Sequence, residues 1–311
     1  MNLKKLSVSI FLVILVSLFT GSSFAVRDNK PTIYAPNAIL IESLTGEILY
    51  EKNAYDRKYP ASTTKIMTAL IVLENCKLDE KVVVGKNALS VLEGSGYVIG
   101  HLRPGEHFTV KQLLDLLMVA SANDAAIVLA EHVSGSVKEF CKLMNKKAKS
   151  LGCDDTNFVN PNGLHDKDHY SSAYDLALIA KEAMKHPEFR KIVVKLSCKL
   201  PATDKYKQKD RVFTNINQLI IPNDSDTLDN YYYTYATGIK TGFTTPAGDC
   251  LVASSEKDSL EFIAVVLNAK DTKSGLSERY LDTKALFNYG YQNYELRTVA
   301  VKRSAYSDSW C

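Results

Sequence analysis

Pro60-Ala-Ser-Thr-Thr-Lys-Ile-Met-Thr68 is the segment from which the rest of the sequence is best interpreted. If this segment begins a helix, Ser62 and Lys65 share one face because residues three apart are neighbours on a helix surface. A serine hydroxyl is a weak nucleophile until a base lies within hydrogen-bond reach, and a lysine with a lowered pKa can be that base. The pair therefore predicts a nucleophile and its base. By itself the spacing is also typical of a helix-capping serine followed by an exposed lysine.

The residues after the pair favour a rigid, buried helix that runs from Ser62 to about Asn75. Apolar side chains cover most of its circumference: Ile66, Met67, Leu70, Ile71 and Leu73. A helix that is apolar on nearly all sides is expected to be buried. A nucleophile on such a helix would be held in a fixed position, as a preformed site requires.

Two later motifs supply partners for the serine–lysine pair. Ser121-Ala-Asn123 interrupts a helical pattern, and such a break places side chains and free backbone groups at the edge of a cleft. Lys240-Thr-Gly242 falls where a strand is expected, and its glycine would let a ligand lie close to the strand. Each motif alone is typical of an ordinary turn or strand end. The three together, in this order, predict an acyl-transfer site.

Strand patterns at both ends of the chain and helical patterns between them predict an α/β fold. We expect one antiparallel sheet assembled from both chain ends, covered by helices, with an inserted and mostly helical lobe. The expected strands are Ala38–Glu42, Thr45–Glu51, Asp249–Ser254 and Glu261–Ala269. The expected helices after the first are Val110–Ala120, Ala125–Val133, Ser136–Leu151, Ser172–Lys185 and Ser277–Tyr291. Two polar stretches, Lys199–Arg211 and Asn223–Tyr235, are interpreted as a solvated loop and an exposed insertion.

Composition and charge fit an exported globular protein. The chain has 311 residues, 46% of them hydrophobic, and a net charge of +3. Residues 1–25 have the lysines, apolar run and small-x-small end of a signal peptide, although an uncleaved membrane anchor fits the same run. We expect a catalytic domain over residues 32–294 outside the cytoplasm, then a short tail, 295–311, with no second domain. Without the leader little positive charge remains, so nucleic acid is not an expected partner.

The cysteines and histidines predict neither a disulfide framework nor a cofactor. Six cysteines are widely and irregularly spaced, so no pairing can be deduced and buried free thiols fit the spacing at least as well. His165 and His169 are four residues apart, but nearby proline and glycine indicate a loop, and no His-Glu-x-x-His motif occurs. We therefore expect no metal and no cofactor.

With these motifs in place, the sequence resembles the serine D-alanyl-D-alanine carboxypeptidases, which are low-molecular-mass penicillin-binding proteins. The resemblance runs from about residue 38 to residue 294. It rests on Ala61-Ser-Thr-Thr-Lys-Ile-Met-Thr68, Met118-Val-Ala-Ser-Ala-Asn-Asp-Ala125, Phe158-Val-Asn-Pro-Asn-Gly-Leu164, His169-Tyr-Ser-Ser-Ala-Tyr-Asp-Leu176 and Gly238-Ile-Lys-Thr-Gly-Phe-Thr244. It implies a fold like that of the β-lactamases and transpeptidases.

The resemblance also implies roles for the motif residues. Ser62 would be the acylated nucleophile and Lys65 its general base, with Ser121 relaying a proton. Substrate would be bound by Asn123, Lys240, Thr241, Gly242, Phe243, Thr244 and Arg279, the last of these near the substrate carboxylate. The backbone N–H groups of Ser62 and Phe243 would form the oxyanion hole. The implied partners are peptidoglycan stem peptides, which lose their last D-alanine, and β-lactam antibiotics, which acylate the same serine.

Several alternative functions share some or all of these motifs. A class A β-lactamase would also carry a Glu-x-x-Leu-Asn loop, which is not found between the second and third motifs. A DD-endopeptidase of the same family has the same motifs. A non-catalytic protein that binds β-lactams or the cell wall would not need the serine and both lysines. Members with a C-terminal amphipathic anchor continue further than this chain, so membrane association is expected only through an uncleaved N-terminus.

Overall fold

Strands from the two ends of the chain pair in an antiparallel sheet. The computed structural model describes residues 30–295 except 87–88, 90–91, 93–99, 208–209, 226 and 228–229. Within these residues the strands are β1 (Asn37–Glu42), β2 (Ile48–Lys52), β3 (Lys81–Val83), β4 (His107–Thr109), β5 (Ser197–Leu200), β6 (Arg211–Thr214), β7 (Ala236–Thr244), β8 (Gly248–Lys257) and β9 (Leu260–Ala269). The main sheet has five strands in the order β2-β1-β9-β8-β7. Two short antiparallel pairs, β3 with β4 and β5 with β6, lie apart from it.

The central strand β9 shows why the sheet is covered on both faces. Its side chains alternate between two apolar clusters, with Ile263 and Val265 in one and Ala264 and Val266 in the other. Because successive side chains of a strand point to opposite faces, both faces of β9 are buried. The sequence of this strand is accordingly a nearly uninterrupted apolar run.

Helices form a layer on each face of this sheet. One layer holds a 3₁₀ helix (Ala61–Thr64) and α1 (Lys65–Asn75), α2 (Val110–Val119), α3 (Asn123–Ser134), α4 (Val137–Ser150), α5 (Ala173–Met184) and α6 (Pro187–Val193). On the other face α7 (Glu278–Asn293) buries Leu286 and Phe287 against the strands. The predicted α/β fold, with a sheet built from both chain ends and helices over it, is confirmed.

The first α-helix is buried as its pattern predicts. Residues 65–72 of α1 are all buried, including the lysine that begins it. α1 packs in the larger apolar cluster, among residues of α2, α3 and α5. The helix therefore works as a rigid mount for whatever stands at its N-terminus.

The prediction of a solvated loop over Lys199–Arg211 was wrong at both ends of that stretch. Its ends belong to the hairpin β5–β6, and Arg211 is buried. The Arg211 guanidinium donates to both carboxylate oxygens of buried Glu106, at 2.7 and 3.2 Å. Burial raises the pKa of Glu106, but hydrogen bonds from Arg211 and Thr203 outweigh it and hold the pKa below its usual value. A buried ion pair between residues 105 apart is invisible to local sequence patterns.

The interpretation of Asn223–Tyr235 as an exposed insertion holds for its start and for Tyr235, which is exposed, but fails for Tyr231 and Tyr233. Tyr231 is buried, its ring centroid lies 4.8 Å from that of Tyr280, and its hydroxyl accepts a hydrogen bond from the Ser277 N–H at 2.8 Å. Tyr233 packs on Phe287 of α7. The segment is thus held against helix α7 by its tyrosines.

Among the described residues no helix has the length and apolar character needed to span a membrane. The predicted leader, residues 1–25, lies outside the described residues, as does the predicted tail apart from its first residue.

Candidate active site

The nucleophile candidate stands on a tight turn in front of α1. Ser62 lies in the 3₁₀ helix Ala61–Thr64, so the α-helix expected from Ser62 begins three residues later, at Lys65. The turn is stabilised by two hydrogen bonds, because the Thr63 N–H and hydroxyl both donate to the Pro60 carbonyl, at 3.2 and 2.7 Å. Ser62 is half-buried at this corner, so its hydroxyl is both fixed and accessible.

The side chain of Lys65 is surrounded by three oxygen acceptors from three segments of the chain. Its Nζ lies 3.0 Å from Ser62 Oγ, 2.8 Å from Asn123 Oδ1 and 2.6 Å from the Asn162 carbonyl. A protonated lysine donates one N–H to each of them. A neutral lysine has two N–H bonds for the two carbonyl oxygens and a lone pair left for the Ser62 hydroxyl. The geometry thus suits the lysine before and after it takes the serine proton.

Electrostatics favour the neutral form of Lys65. Burial lowers the pKa of Lys65 well below its ordinary value, and the nearby charge of Lys240 lowers it further. Asp124 opposes this shift. Asp124 is buried but already accepts hydrogen bonds from the backbone N–H groups of Gly100, Leu102 and Ala125. The net effect is a lysine poised to accept a proton.

The loop that carries Asn162 contacts Lys65, although the sequence analysis gave no residue of this loop a role in the site. The carbonyls of Asn162 and Pro161 accept from Lys65 Nζ and from the Thr68 hydroxyl, at 2.6 Å each. At Gly163 the backbone has φ +84°, and a Cβ there would lie only 1.9 Å from the Ala61 carbonyl oxygen. Only glycine permits so close an approach behind the nucleophile turn. The motif Asn-Pro-Asn-Gly-Leu pointed to this turn without indicating its contact with the lysine.

Ser121 and Asn123 lie at the predicted break between helices α2 and α3. Ser121 adopts a left-handed φ of 59°, and Asn123 begins α3, where its side chain reaches Lys65. Both residues are buried, and both line the same cleft as Ser62. The structure therefore brings the first two motifs together.

The strand β7 forms the opposite wall of the cleft. A Cβ added at Gly242 would lie 3.1 Å from the Ser62 nitrogen and 3.1 Å from the Pro60 carbonyl oxygen. The strand is therefore in close contact with the turn that carries the nucleophile. Lys240 is buried, and its Nζ donates to the Thr241 carbonyl at 3.0 Å. Burial, helped by the charge of Arg279, lowers the pKa of Lys240 to about 7.

Polar groups on this wall are left ready for a ligand. The Thr241 hydroxyl is buried without a hydrogen-bond partner among the described residues. Arg279 of α7 reaches the wall, where its Nη1 donates to Asp249 at 2.7 Å and lies 3.4 Å from the Gly242 carbonyl oxygen. Burying an unpaired hydroxyl is unfavourable, and a ligand oxygen in the cleft would relieve it.

The cleft between the two walls has a volume of about 240 Å³. It is lined by Ser62, Ser121, Asn123, Gly163, Leu164, Ile216, Thr241, Gly242, Phe243, Thr244 and Arg279. All sequence-predicted residues therefore face it or, for Lys65 and Lys240, lie buried behind it. Ile216 and Phe243 are exposed apolar side chains at its rim, and nothing in the sequence marked Ile216.

His169 is held by the protein itself. The Val159 N–H donates to Nδ1 at 3.1 Å, and Nε2 lies 2.8 Å from the Thr64 hydroxyl. Burial lowers the pKa of His169 to about 4, so the ring is neutral and its Nε2–H is the donor to Thr64. Both ring nitrogens are thus occupied, and Nε2 supports Thr64, the residue next to Lys65.

A serine–lysine pair that faces a Lys-Thr-Gly strand across a cleft is the arrangement of penicillin-binding serine peptidases. The model of the peptidase S11 family, D-alanyl-D-alanine carboxypeptidase, matches residues 24–271. The chain belongs to this family of serine-type peptidases.

Individual relatives and solved structures agree with the family match. D-alanyl-D-alanine carboxypeptidase DacF of Bacillus subtilis is 38% identical over 304 residues, covering 94% of this chain and 72% of DacF. DacC of Escherichia coli is 33% identical over 292 residues, covering 90% of this chain and 68% of DacC. The crystal structure of the Streptomyces K15 DD-transpeptidase superposes with a TM-score of 0.75 at 33% identity, covering 85% of this chain and 99% of that one.

Proposed function

We propose that this protein removes the terminal D-alanine from peptidoglycan stem pentapeptides through an acyl-enzyme on Ser62. The observation that carries the proposal is the position of Lys65 Nζ, which is 3.0 Å from Ser62 Oγ and fixed by two carbonyl-type oxygens. Family membership supplies the substrate class, and the geometry supports the assignment of roles.

Acylation begins with proton transfer from the serine to the lysine. Ser62 Oγ then attacks the carbonyl carbon of the bond between the two D-alanines, and the negative charge forms on the carbonyl oxygen. We assign the backbone N–H groups of Ser62 and Phe243 as donors to this oxygen, an interaction that typically contributes a few kcal/mol. Ser121 relays the proton held by Lys65 to the leaving nitrogen, the C–N bond breaks and D-alanine departs, which leaves Lys65 neutral again.

The β7 wall selects a substrate that ends in a carboxylate. Lys240 provides a buried positive charge, Thr241 a free hydroxyl and Arg279 a second cation at the same wall. Hydrogen bonds to charged groups are stronger than those between neutral partners. A terminal carboxylate therefore gains more at this wall than an amide or an internal peptide bond would.

The remaining residues of the cleft are placed to contact the peptide chain itself. Asn123 and Thr244 line the cleft on opposite walls and complete the polar contacts along the peptide. Gly242, which has no side chain, allows the peptide to lie close to β7.

Water completes the cycle by hydrolysing the acyl-enzyme, with Lys65 again placed to accept a proton. A β-lactam has a strained amide that Ser62 opens in the same way. Its leaving nitrogen stays tethered to the acyl group, so a stable adduct on Ser62 is expected.

Family members act on the cell wall, so the substrate lies outside the cytoplasm. We further propose that residues 1–25 direct export and that residues 32–294 form the catalytic domain. An uncleaved leader would attach the protein to the membrane by its N-terminus.

The test is intact-protein mass after mixing with benzylpenicillin, together with D-alanine release from a stem pentapeptide. We expect one adduct and one D-alanine per peptide from the wild type, and neither from Ser62→Ala. Ser197→Ala, which changes an exposed serine of β5, is the matched control and should behave as the wild type. No adduct on folded wild-type protein would overturn the proposal and favour a binding module.

A second substrate separates the remaining alternatives. Cleavage of a cross-linked dimer faster than the pentapeptide would favour an endopeptidase. Rapid release of hydrolysed penicillin would favour a β-lactamase.

A further inference from the structure

Three side chains of kinds that bind zinc converge where helices α1 and α3 end. Cys76 follows the last residue of α1, Glu80 lies four residues later, and His132 is in the last turn of α3. One sulfur, one carboxylate oxygen and one ring nitrogen from these residues all lie within 4.8 Å of one another. His132 Nε2 is 2.9 Å from Glu80 Oε1.

The backbone around these side chains is fixed independently of any ligand. The Val110 N–H donates to the Glu80 carbonyl at 3.0 Å, and the Lys111 N–H donates to the Leu78 carbonyl at 2.9 Å. His132 is carried by a helix. The three donors therefore approach one another because of the fold, and small side-chain rotations suffice to adjust their separations.

We propose that Cys76, Glu80 and His132 bind a zinc ion. A thiolate, an imidazole and a carboxylate form a mixed sulfur, nitrogen and oxygen donor set, which suits zinc far better than calcium or magnesium. Zinc bonds of about 2.0–2.3 Å place neighbouring tetrahedral donors roughly 3.3–3.8 Å apart, within reach of the observed cluster. An open hollow of about 640 Å³ beside Cys76 and Glu80 leaves space for a water as fourth ligand.

The ion would act as a clamp and not as a reagent. α1 begins with Lys65 and α3 begins with Asn123, so a zinc ion at their far ends ties together the two helices that position the base. None of the three ligands lines the catalytic cleft. No local sequence motif marks them, because Glu80 and His132 are 52 residues apart.

The test uses the purified, untagged chain, stripped with chelator and kept reduced. Zinc uptake is measured by equilibrium dialysis with elemental analysis, and cobalt is added separately to look for thiolate-to-cobalt charge-transfer absorption. We expect one zinc per chain, the cobalt band, and a melting temperature several degrees higher with zinc. Cys76→Ser should abolish the band, and His132→Gln should weaken zinc binding at least tenfold.

His107→Gln removes an exposed histidine of β4 and is the matched control, expected to bind like the wild type. A far-ultraviolet circular dichroism spectrum like that of the wild type shows that each variant is folded, and D-alanine release is measured separately. Absence of stoichiometric zinc, absence of the cobalt band, or unchanged binding in both ligand variants would each overturn the proposal. Because activity is measured separately, these outcomes leave the proposed function unaffected.

Discussion

The two buried lysines of the cleft stand in contrasting surroundings. Lys65 on the helical wall lies within 3.0 Å of three oxygens that come from three different segments. Lys240 on the strand wall donates to the carbonyl of its own neighbour, and the adjacent Thr241 hydroxyl has no partner among the described residues. Both have a lowered pKa, chiefly because both are buried.

The contrast separates the tasks of the two walls. Proton transfer needs donor and acceptor held at a fixed separation, so the helical wall satisfies its lysine completely. Ligand binding needs polar groups that gain partners only when the ligand arrives, so the strand wall leaves such groups open. We therefore expect the helical wall to be preassembled for chemistry and the strand wall for recognition, and substitutions can test each wall separately.

The largest effect is expected from Lys65→Met, which keeps the length of the side chain and removes the base. Acylation by a fluorescent penicillin should slow by roughly 10³-fold, within the range for loss of a general base. Lys191→Met, at an exposed lysine of α6, is the control and should acylate normally. Acylation within tenfold of wild type, in a variant with an unchanged melting temperature, would contradict the role of Lys65.

The next effect is expected from Lys240→Gln, which removes the buried charge of the strand wall. kcat/KM for the pentapeptide should fall by about 10–100-fold, the loss expected for a hydrogen bond to a charged group. The same peptide with a C-terminal amide in place of the carboxylate tests whether Lys240 binds that carboxylate. Amidation should impair the wild type strongly and the variant only slightly, because the two changes remove the same interaction. Equal impairment of both proteins would show that Lys240 does not meet the carboxylate.

The sequence was sufficient for the elements with strong local signals. The helices from α1 to α5, the hairpin β8–β9 and the three motifs all follow from periodicity and residue type. The site residues named from the motifs were brought to one cleft because the motifs stand at fixed ends of rigid elements. Their chemical roles remain predictions that the experiments above address.

The remaining features depend on contacts that local patterns do not encode. The Asn162 carbonyl reaches Lys65 only through tertiary packing across 97 residues. Arg211 was predicted to be solvated because its neighbours in sequence are polar, whereas its carboxylate partner, Glu106, is distant in sequence and buried. Tyr231 looked exposed because a tyrosine-rich stretch suits both surface and core. In each case the decisive partner is distant in the chain.

The pH dependence of kcat/KM offers a finer distinction between the two lysines. Lys65 must be neutral to act as base, so activity should fall in acid as Lys65 becomes protonated. Lys240 must be charged, and with a pKa of about 7 in the free enzyme its charge is present at lower pH and lost as pH rises. Lys240→Arg keeps the charge and should move the alkaline limb of the profile to higher pH. If the alkaline limb of the Lys240→Arg profile does not move, it reports the titration of a group other than Lys240.

The smallest effect is expected from Thr241→Val, which removes the unpaired hydroxyl of the strand wall. The loss of one hydrogen bond from an uncharged donor to the substrate carboxylate should lower kcat/KM about 10-fold, the low end of the range for a bond to a charged group, while the melting temperature stays the same or rises because no bond in the free protein is lost. Thr237→Val on the same strand is the matched control, since its hydroxyl is already paired with Ser254 at 2.7 Å. That variant should lose stability and keep its kinetics. The opposite pattern would mean that the open hydroxyl serves the fold and not the ligand, and would remove the distinction between the two walls.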